Sequence, residues 1–322
     1  GAWGFVNPKP GAPVWIGLSP TIWLMLGGGL VLLVFAAWEK RRVEAGQSVL
    51  IDPTILRNPV LRGGLTAFLF QFLLQAGLFF CVPLYLSVAL GLSAVETGIR
   101  ILPLSITLLL AAVGVPKIWP QASPQRVARF GFLGLLAGIV SLMGALELGA
   151  GPEIVTLPLL LAGLGIGALA SQLGAVTVSS VPDEQSPEVG GLQNTFTNLG
   201  ASVGTALAGA ILVSALTTSF FTGIQDNPAI PETLTSKAQV EFAGGIQFIP
   251  DSDLEAALSK AGITGDTAQA IMEENSQSRI AGLRAALAAL AVLAIAALFS
   301  TGSLPTRQGQ SDADAKVPAG LS

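Results

Sequence analysis

Histidine is missing from this 322-residue chain altogether. Its absence removes the commonest general base and the commonest zinc ligand. Cysteine is nearly missing too. Cys81 stands alone, so no internal disulfide forms and the redox compartment is left open. Charge is scarce, at 11% of residues, where soluble domains carry about 25%. The formal net charge of −4 and an isoelectric point near 4.9 give no basic face to a nucleic acid. What is abundant is apolar: 51% of residues are hydrophobic and the mean hydropathy is +0.68. Several charge-free runs reach the roughly 20 residues that cross a hydrocarbon core. The expectation is an all-α integral membrane protein. The chain opens on Gly1 without a signal peptide, and reads as a fragment or processed product whose upstream part is missing.

Seven apolar windows predict seven spans, at about 20–38, 64–89, 98–115, 130–146, 154–178, 190–216 and 281–300. A spanning segment must satisfy its own backbone, so each is read as an α-helix. A β-barrel needs alternating polar and apolar residues, and runs such as VLLVFAAW and LPLLLAGLGIGALA do not alternate. Basic residues set the orientation. Lys40, Arg41, Arg42, Arg57, Arg62, Lys117, Arg126, Arg129, Arg307 and Lys316 fall on one side. Lys9, Lys237, Lys260 and Arg279 fall on the other, with Arg100 and Arg284 near span ends. That places the carboxyl terminus in the cytoplasm and the protein in the plasma (inner) membrane. The domain reading is an outer loop and first helix (1–38), a cytoplasmic linker (39–63), a six-helix domain (64–300) and a disordered tail (301–322). Within that domain, 217–280 reads as an acidic outer loop with no metal-ligand cluster, a small cap over the bundle. Ser252 with Glu255 reads there as a capping box, and Asp266 or Thr267 as the cap of a helix running into the last span.

The stretch GLQNTFTNLGASVGTALAGAI, residues 191–211, is the most polar part of any span. Its segment from Gly200 to Gly204 formally matches the G-x-S-x-G elbow of serine hydrolases, but no strand precedes it and no histidine base exists. Gly163-Leu164-Gly165-Ile166-Gly167 hints at a dinucleotide loop, yet lies inside an apolar span. No cofactor is expected from either. Helix packing explains the glycines. Gly200 and Gly204, Gly163 and Gly167, and Gly134 and Gly138 repeat every four residues, a spacing that lets membrane helices approach closely. Such ridges serve either static packing or helices that slide against one another.

At 100° per residue, Asn194, Asn198 and Thr205 share a face that the glycine ridge does not. Gln71 and Gln75 form a second i, i+4 amide pair, and Gln172 is a lone amide read as structural. Uncharged polar groups in a span either hydrogen-bond between helices or line a wet cavity that meets a solute. The two amide pairs are read as cavity candidates. Glu96 and Arg100, one turn apart, fit an ion pair, with Arg100 an outer anchor or a gate.

Three stretches carry a resemblance: WEKRRVEAGQSVLIDPTILRNPVLRGG, VPLYLSVALGLSAVETGIRILPLSI and VPDEQSPEVGGLQNTFTNLGASVGTALAGAIL. In their order and spacing they resemble the C-terminal half of a major facilitator superfamily transporter of the 14-helix drug:proton antiporter type. Ser87 stands where that family commonly has a glutamine. The resemblance implies a linker, a first hairpin and a penultimate helix before a long outer loop. It makes 20–38 an extra helix ahead of the C-terminal six-helix domain, and implies a small-molecule substrate, protons and an absent N-terminal half as partners. No acidic residue lies mid-membrane in this chain to carry the proton. Two other readings are a seven-helix receptor or sensor, and a membrane enzyme. The first lacks a lysine for a retinal-type Schiff base in its last span. The second lacks both histidine and paired intramembrane acids.

Overall fold

The computed structural model describes residues 20–45, 53–232, 234–235 and 248–306. The first loop, Lys9, Lys237 and the tail beyond 306 with Arg307 and Lys316 lie outside the described residues. Among the described residues, regular structure is entirely helical. Helix α1 is Pro20–Glu44, α2 Pro59–Pro83, α3 Ala94–Ile118 and α4 Pro124–Ala145. Then come α5 Thr156–Val178, α6 Ser186–Asp226, the short α7 Asp251–Lys260 and α8 Asp266–Ser300. Seven segments are long and apolar enough to cross a membrane, all but α7 contributing one.

Local chemistry sets most of the starts. Asn58 caps α2 by accepting the amides of Val60 and Leu61, with Pro59 in the first position, where a missing N–H costs nothing. Ser93 and Glu96 close a reciprocal capping box on α3. Ser123 caps α4, again followed by proline. Pro83 withholds an N–H, and the chain beyond it widens into a π-helical turn over Leu84–Ala89. Gly91, at φ +69°, then turns the chain into α3.

The helix ends interlock in two layers. At one end Asn58 Nδ2 donates to the Ser180 carbonyl at 2.6 Å, Gln193 donates to Thr177, and the Gln125 amide meets the Pro305 carbonyl at 3.3 Å. At the other end the Tyr85 hydroxyl donates to the Ala150 carbonyl at 3.0 Å and Asn227 Nδ2 to Glu274 at 2.9 Å. From α2 onward, successive spans therefore alternate in direction. Helices α2 and α5 lie side by side at the centre, α2 packing on α6 and α8, α5 on α3 and α4. Leu74, Leu78, Leu104, Phe132, Leu135, Leu169, Leu287 and Leu290 fill the space between them. Helix α1 stands apart, with Leu24, Leu30, Leu32 and Leu33 exposed along it.

Backbone approach at glycine makes the contacts close. A methyl group added to Gly163 or Gly167 on α5 would strike the Leu104 or Leu108 carbonyl of α3. At Gly134 and Gly138 on α4 it would press on Gly165, or on Pro158 and Ala162, of α5. At Gly200 and Gly204 on α6 it would meet the Leu69 or Leu73 carbonyl of α2.

Several expectations need correction. The helices outrun the apolar windows: α1 continues to Glu44, α2 starts at Pro59, α6 reaches Asp226 and α8 starts at Asp266. A helix need not end where the charge-free run does, because water satisfies the charged turns beyond it. Within 217–280 the new helix is the extension of α6; the short helix before Gly262 and the helix running into the last span are the expected ones, α7 and α8. Ser252 and Glu255 form no capping box, since Pro250 is the cap residue and Ser252 already lies within α7. Helix α8 starts behind Gly265 with no side-chain cap, and Thr267 instead donates to the Ala229 carbonyl. The tail is not loose from its first residue: Thr301 and Leu304 are buried, and Ser303 sits against Gly63 of α2.

This packing predicts a contrast within α5. Gly167→Ala should lower stability by about 1–3 kcal/mol, the usual range for overpacking a close contact. Gly174→Ala, where an added methyl meets nothing within 4 Å, should be neutral. Thermal unfolding of the two purified variants checks this, and equal losses would contradict it.

Candidate solute-facing surface

Helix α6 divides its circumference three ways. Gly200 and Gly204 are buried against α2, and Ala208 is buried one turn further on. Asn194, Asn198, Ser202 and Thr205 are exposed on the neighbouring face, and Leu199, Val203 and Val213 on the next. The exposed residues of α3 make a useful contrast. Along the middle of the helix, from 99 to 113, they are Ile99, Leu102, Ile106, Leu109, Leu110 and Val113, with Ser105 among them. One exposed face is aliphatic, as lipid or another apolar helix requires; the other presents amides and hydroxyls.

Asn194, Asn198 and Thr205, and Thr195 beside them, bond within their own helix. Asn198 Nδ2 donates to the Asn194 carbonyl at 2.9 Å and to Asn194 Oδ1 at 3.0 Å. Thr195 and Thr205 donate to the Gly191 and Ala201 carbonyls one turn back, at 2.9 and 3.0 Å. Nothing in these bonds ties α6 to another helix. The oxygen lone pairs are left for water or a solute.

Thr205 and Ala201 border a groove of about 400 Å³ whose other wall is Phe72, Gln75, Ala76, Phe79 and Phe80 of α2. Phe68 stacks on Phe72 with ring centroids 6.2 Å apart. An amide and a hydroxyl among aromatic rings suit an amphipathic solute, with apolar bulk against the rings and few polar contacts.

Gln71 and Gln75 are not equivalent. Gln75 lines the groove, whereas Gln71 is 3% exposed and its Oε1 has no protein partner. Gln172 is also buried. Gln193, not among the candidate residues, joins α6 to Thr177 and the Gly174 carbonyl of α5. Arg279 is more than one of the outer basic residues. Arg279 is buried, and it donates to Asp251 at 2.5 Å, to the Ile249 carbonyl at 3.0 Å and to Ser276 at 3.0 Å. It pins the strap before α7 onto α8. The i, i+3 spacing of Ser276 and Arg279 was the available signal.

Glu96 and Arg100 border a second groove of about 360 Å³, with Leu92, Pro103, Pro152 and Thr156. The expected ion pair is not what Glu96 makes. Its carboxylate turns back to accept from the Ser93 amide and hydroxyl, at 2.9 and 2.7 Å. The cap wins because it satisfies an otherwise orphaned helix amide, while an exposed ion pair contributes little. Ser93-x-x-Glu96 was the readable motif. Among the described residues no three acids or cysteines gather as a metal site requires.

Residues 11–205 match the sequence profile described as Major Facilitator Superfamily. The chain is 32% identical over 221 residues to the tetracenomycin C resistance and export protein of Streptomyces glaucescens, covering 66% of this chain and 38% of that protein. It is 25% identical to the probable actinorhodin transporter of Streptomyces coelicolor, over 68% of this chain and 37% of the relative. It is 27% identical to the multidrug efflux pump LfrA of Mycolicibacterium smegmatis, over 78% of this chain and 52% of that pump. The chain thus spans about two fifths to a half of the length of these curated relatives.

If the polar stripe of α6 is not glue between helices, removing it should spare the fold. Asn198→Ala and Thr205→Val should each change stability by less than about 0.6 kcal/mol, the average worth of an interhelical polar contact in a membrane. Gly204→Leu should cost about 1–3 kcal/mol by overpacking. Thermal unfolding in detergent ranks the three. An Asn198→Ala variant less stable than Gly204→Leu would contradict the assignment.

Proposed function

The chain belongs to the Major Facilitator Superfamily, and on that premise we propose that it forms the C-terminal half of a proton-coupled exporter of small organic compounds. The family transports and is not a family of enzymes. Its membership also displaces the seven-helix receptor reading. The observation that carries the proposal is the contrast between exposed faces: aliphatic on α3, amide- and hydroxyl-bearing on α6 beside the groove of Phe72, Gln75 and Phe79. A span that presents polar groups outward without using them to hold another helix is built to meet water or solute.

In a two-domain transporter the substrate site lies near the midplane, between halves that rock around it. Gln75, Asn194, Asn198 and Thr205 would form this half's wall, with Gln71 behind it as a buried acceptor. The glycine ridges would let α3 and α6 move against α5 and α2. Glu96 and Arg100 would sit at the outer mouth, Arg100 as gate or anchor. The relatives named for export or multidrug efflux support an outward direction and amphipathic substrates. No carboxylate occupies the middle of any of these spans, so the proton would be carried by the other half.

Charge distribution supports the sidedness. The layer holding Arg57, Arg62, Lys117, Arg126 and Arg129 would face the cytoplasm, with the carboxyl terminus. The opposite layer, where Lys260 and Arg279 are the basic residues away from span ends among the described ones, would face outward. The first span and its linker, 1–63, precede the six-helix unit, which is the order expected of a 14-helix C-terminal half.

The test is reconstitution. Liposomes holding this chain alone should show no proton-driven export of an amphipathic dye, because one half cannot enclose a midplane site. The complete transporter containing it should export, and Gln75→Ala or Asn198→Ala should alter the dye's apparent affinity severalfold. Export by the chain alone would contradict the half-transporter reading; unchanged affinity in both variants would contradict the site.

A further inference from the structure

Helix α3 ends at Ile118 and α4 starts at Pro124, and the hairpin between them carries a groove of about 510 Å³. Its lining includes Ile118, Trp119, Gln121, Arg126, Val127 and Phe130. We propose that this groove binds the headgroup of an anionic membrane phospholipid, with Arg126 meeting the phosphate and Ile118, Trp119 and Phe130 meeting the glycerol and upper acyl chains.

Three observations carry it. The first is apolar exposure at the end of a span. Ile118, Trp119 and Phe130 are 76%, 57% and 61% exposed, and the Trp119 ring stacks on Phe130 at 6.2 Å. Trp119 carries an amphipathic ring at the end of a span, the kind that sits where a bilayer meets its headgroups, and Phe130 extends its apolar side. A soluble anion has no use for such a surface, whereas a lipid covers it.

The second is charge. Lys117, Arg126 and Arg129 lie on this hairpin, and no Asp or Glu occurs in the sequence between Glu96 and Glu147. The element packed beside it, the end of α8 with Thr301 and Pro305, brings no acid either: none occurs between Glu274 and 306. Arg129 is partly occupied, donating to Thr301 Oγ1 at 3.2 Å. The exposed Arg126 faces no carboxylate from these elements, and its planar fork matches a phosphate.

The third is that the α4 terminus cannot serve the anion by itself. Its first donors are already used: Gln125 N meets Pro305 O, Arg126 N meets Ser123 Oγ and Val127 N meets Ser123 O. Recognition therefore falls to side chains, and a guanidinium beside an apolar wall selects an anionic lipid over a zwitterionic one. Basic pockets between membrane helices bind anionic headgroups on this principle.

The experiment is native mass spectrometry of the purified chain in detergent, titrated with palmitoyl-oleoyl phosphatidylglycerol or with phosphatidylcholine of the same chains. Phosphatidylglycerol should bind at least about fivefold tighter. Arg126→Gln should reduce that preference about fivefold, the equivalent of about 1 kcal/mol for one basic side chain at a membrane surface. Arg126→Lys should retain part of it, and Trp119→Ala should weaken both lipids alike. Unchanged thermal unfolding of Arg126→Gln would show that its loss is one of binding. Inorganic phosphate and glycerol phosphate should not displace the lipid. Equal retention of the two lipids, a preference that survives Arg126→Gln, or displacement by inorganic phosphate would each overturn the proposal.

Discussion

Apolar helices inside a bilayer gain little by turning toward one another, because lipid is as apolar as they are. What holds such a bundle is contact close enough for dispersion and shape to count. Here that contact comes from glycine, with Gly163 and Gly167 meeting carbonyls of α3, and Gly200 and Gly204 those of α2. The peripheral helices α3 and α6 are each seated by one such ridge on a central helix. Their remaining circumference is left over for other tasks.

Those tasks diverge. On α3 the free surface is aliphatic, and on α6 it carries Asn194, Asn198 and Thr205 beside a groove of phenylalanines and Gln75. The glycine ridge makes this division possible. If α6 had needed its amides to adhere to α2, they would be buried between the two helices. Backbone contact does that work, and the polar stripe points away from it. At the ends of the bundle hydrogen bonds between loops and helices replace dispersion, as in the cap over α3 and the Arg279 strap on α8.

The number of spans and the glycine contacts were legible because period and length decide them. A run of some 20 apolar residues has few alternatives in a membrane, and a four-residue glycine repeat falls on one face. Helix ends were less legible. At Ser93 the S-x-x-E pattern forms a capping box, while at Ser252 the same pattern does not, because Pro250 is already the cap residue two positions earlier. Pattern cannot separate those cases; the position of the first helical turn does. Gln71 and Gln75 looked alike at i, i+4, yet only Gln75 reaches the groove. Arg279 looked like a surface charge, since its partners Ile249 and Asp251 lie some 30 residues back along the chain.

The central claim is that the polar stripe of α6 faces a watery cavity in the assembled transporter. Cysteine accessibility in native membranes tests it directly, in a Cys81→Ala background. Asn198→Cys and Thr205→Cys should react with a charged, membrane-impermeant thiol reagent, and an amphipathic substrate should slow that reaction. Ile106→Cys, on the aliphatic face of α3, should stay unreactive. If Asn198→Cys proves as inert as Ile106→Cys with or without substrate, the stripe faces lipid or protein and the account is wrong.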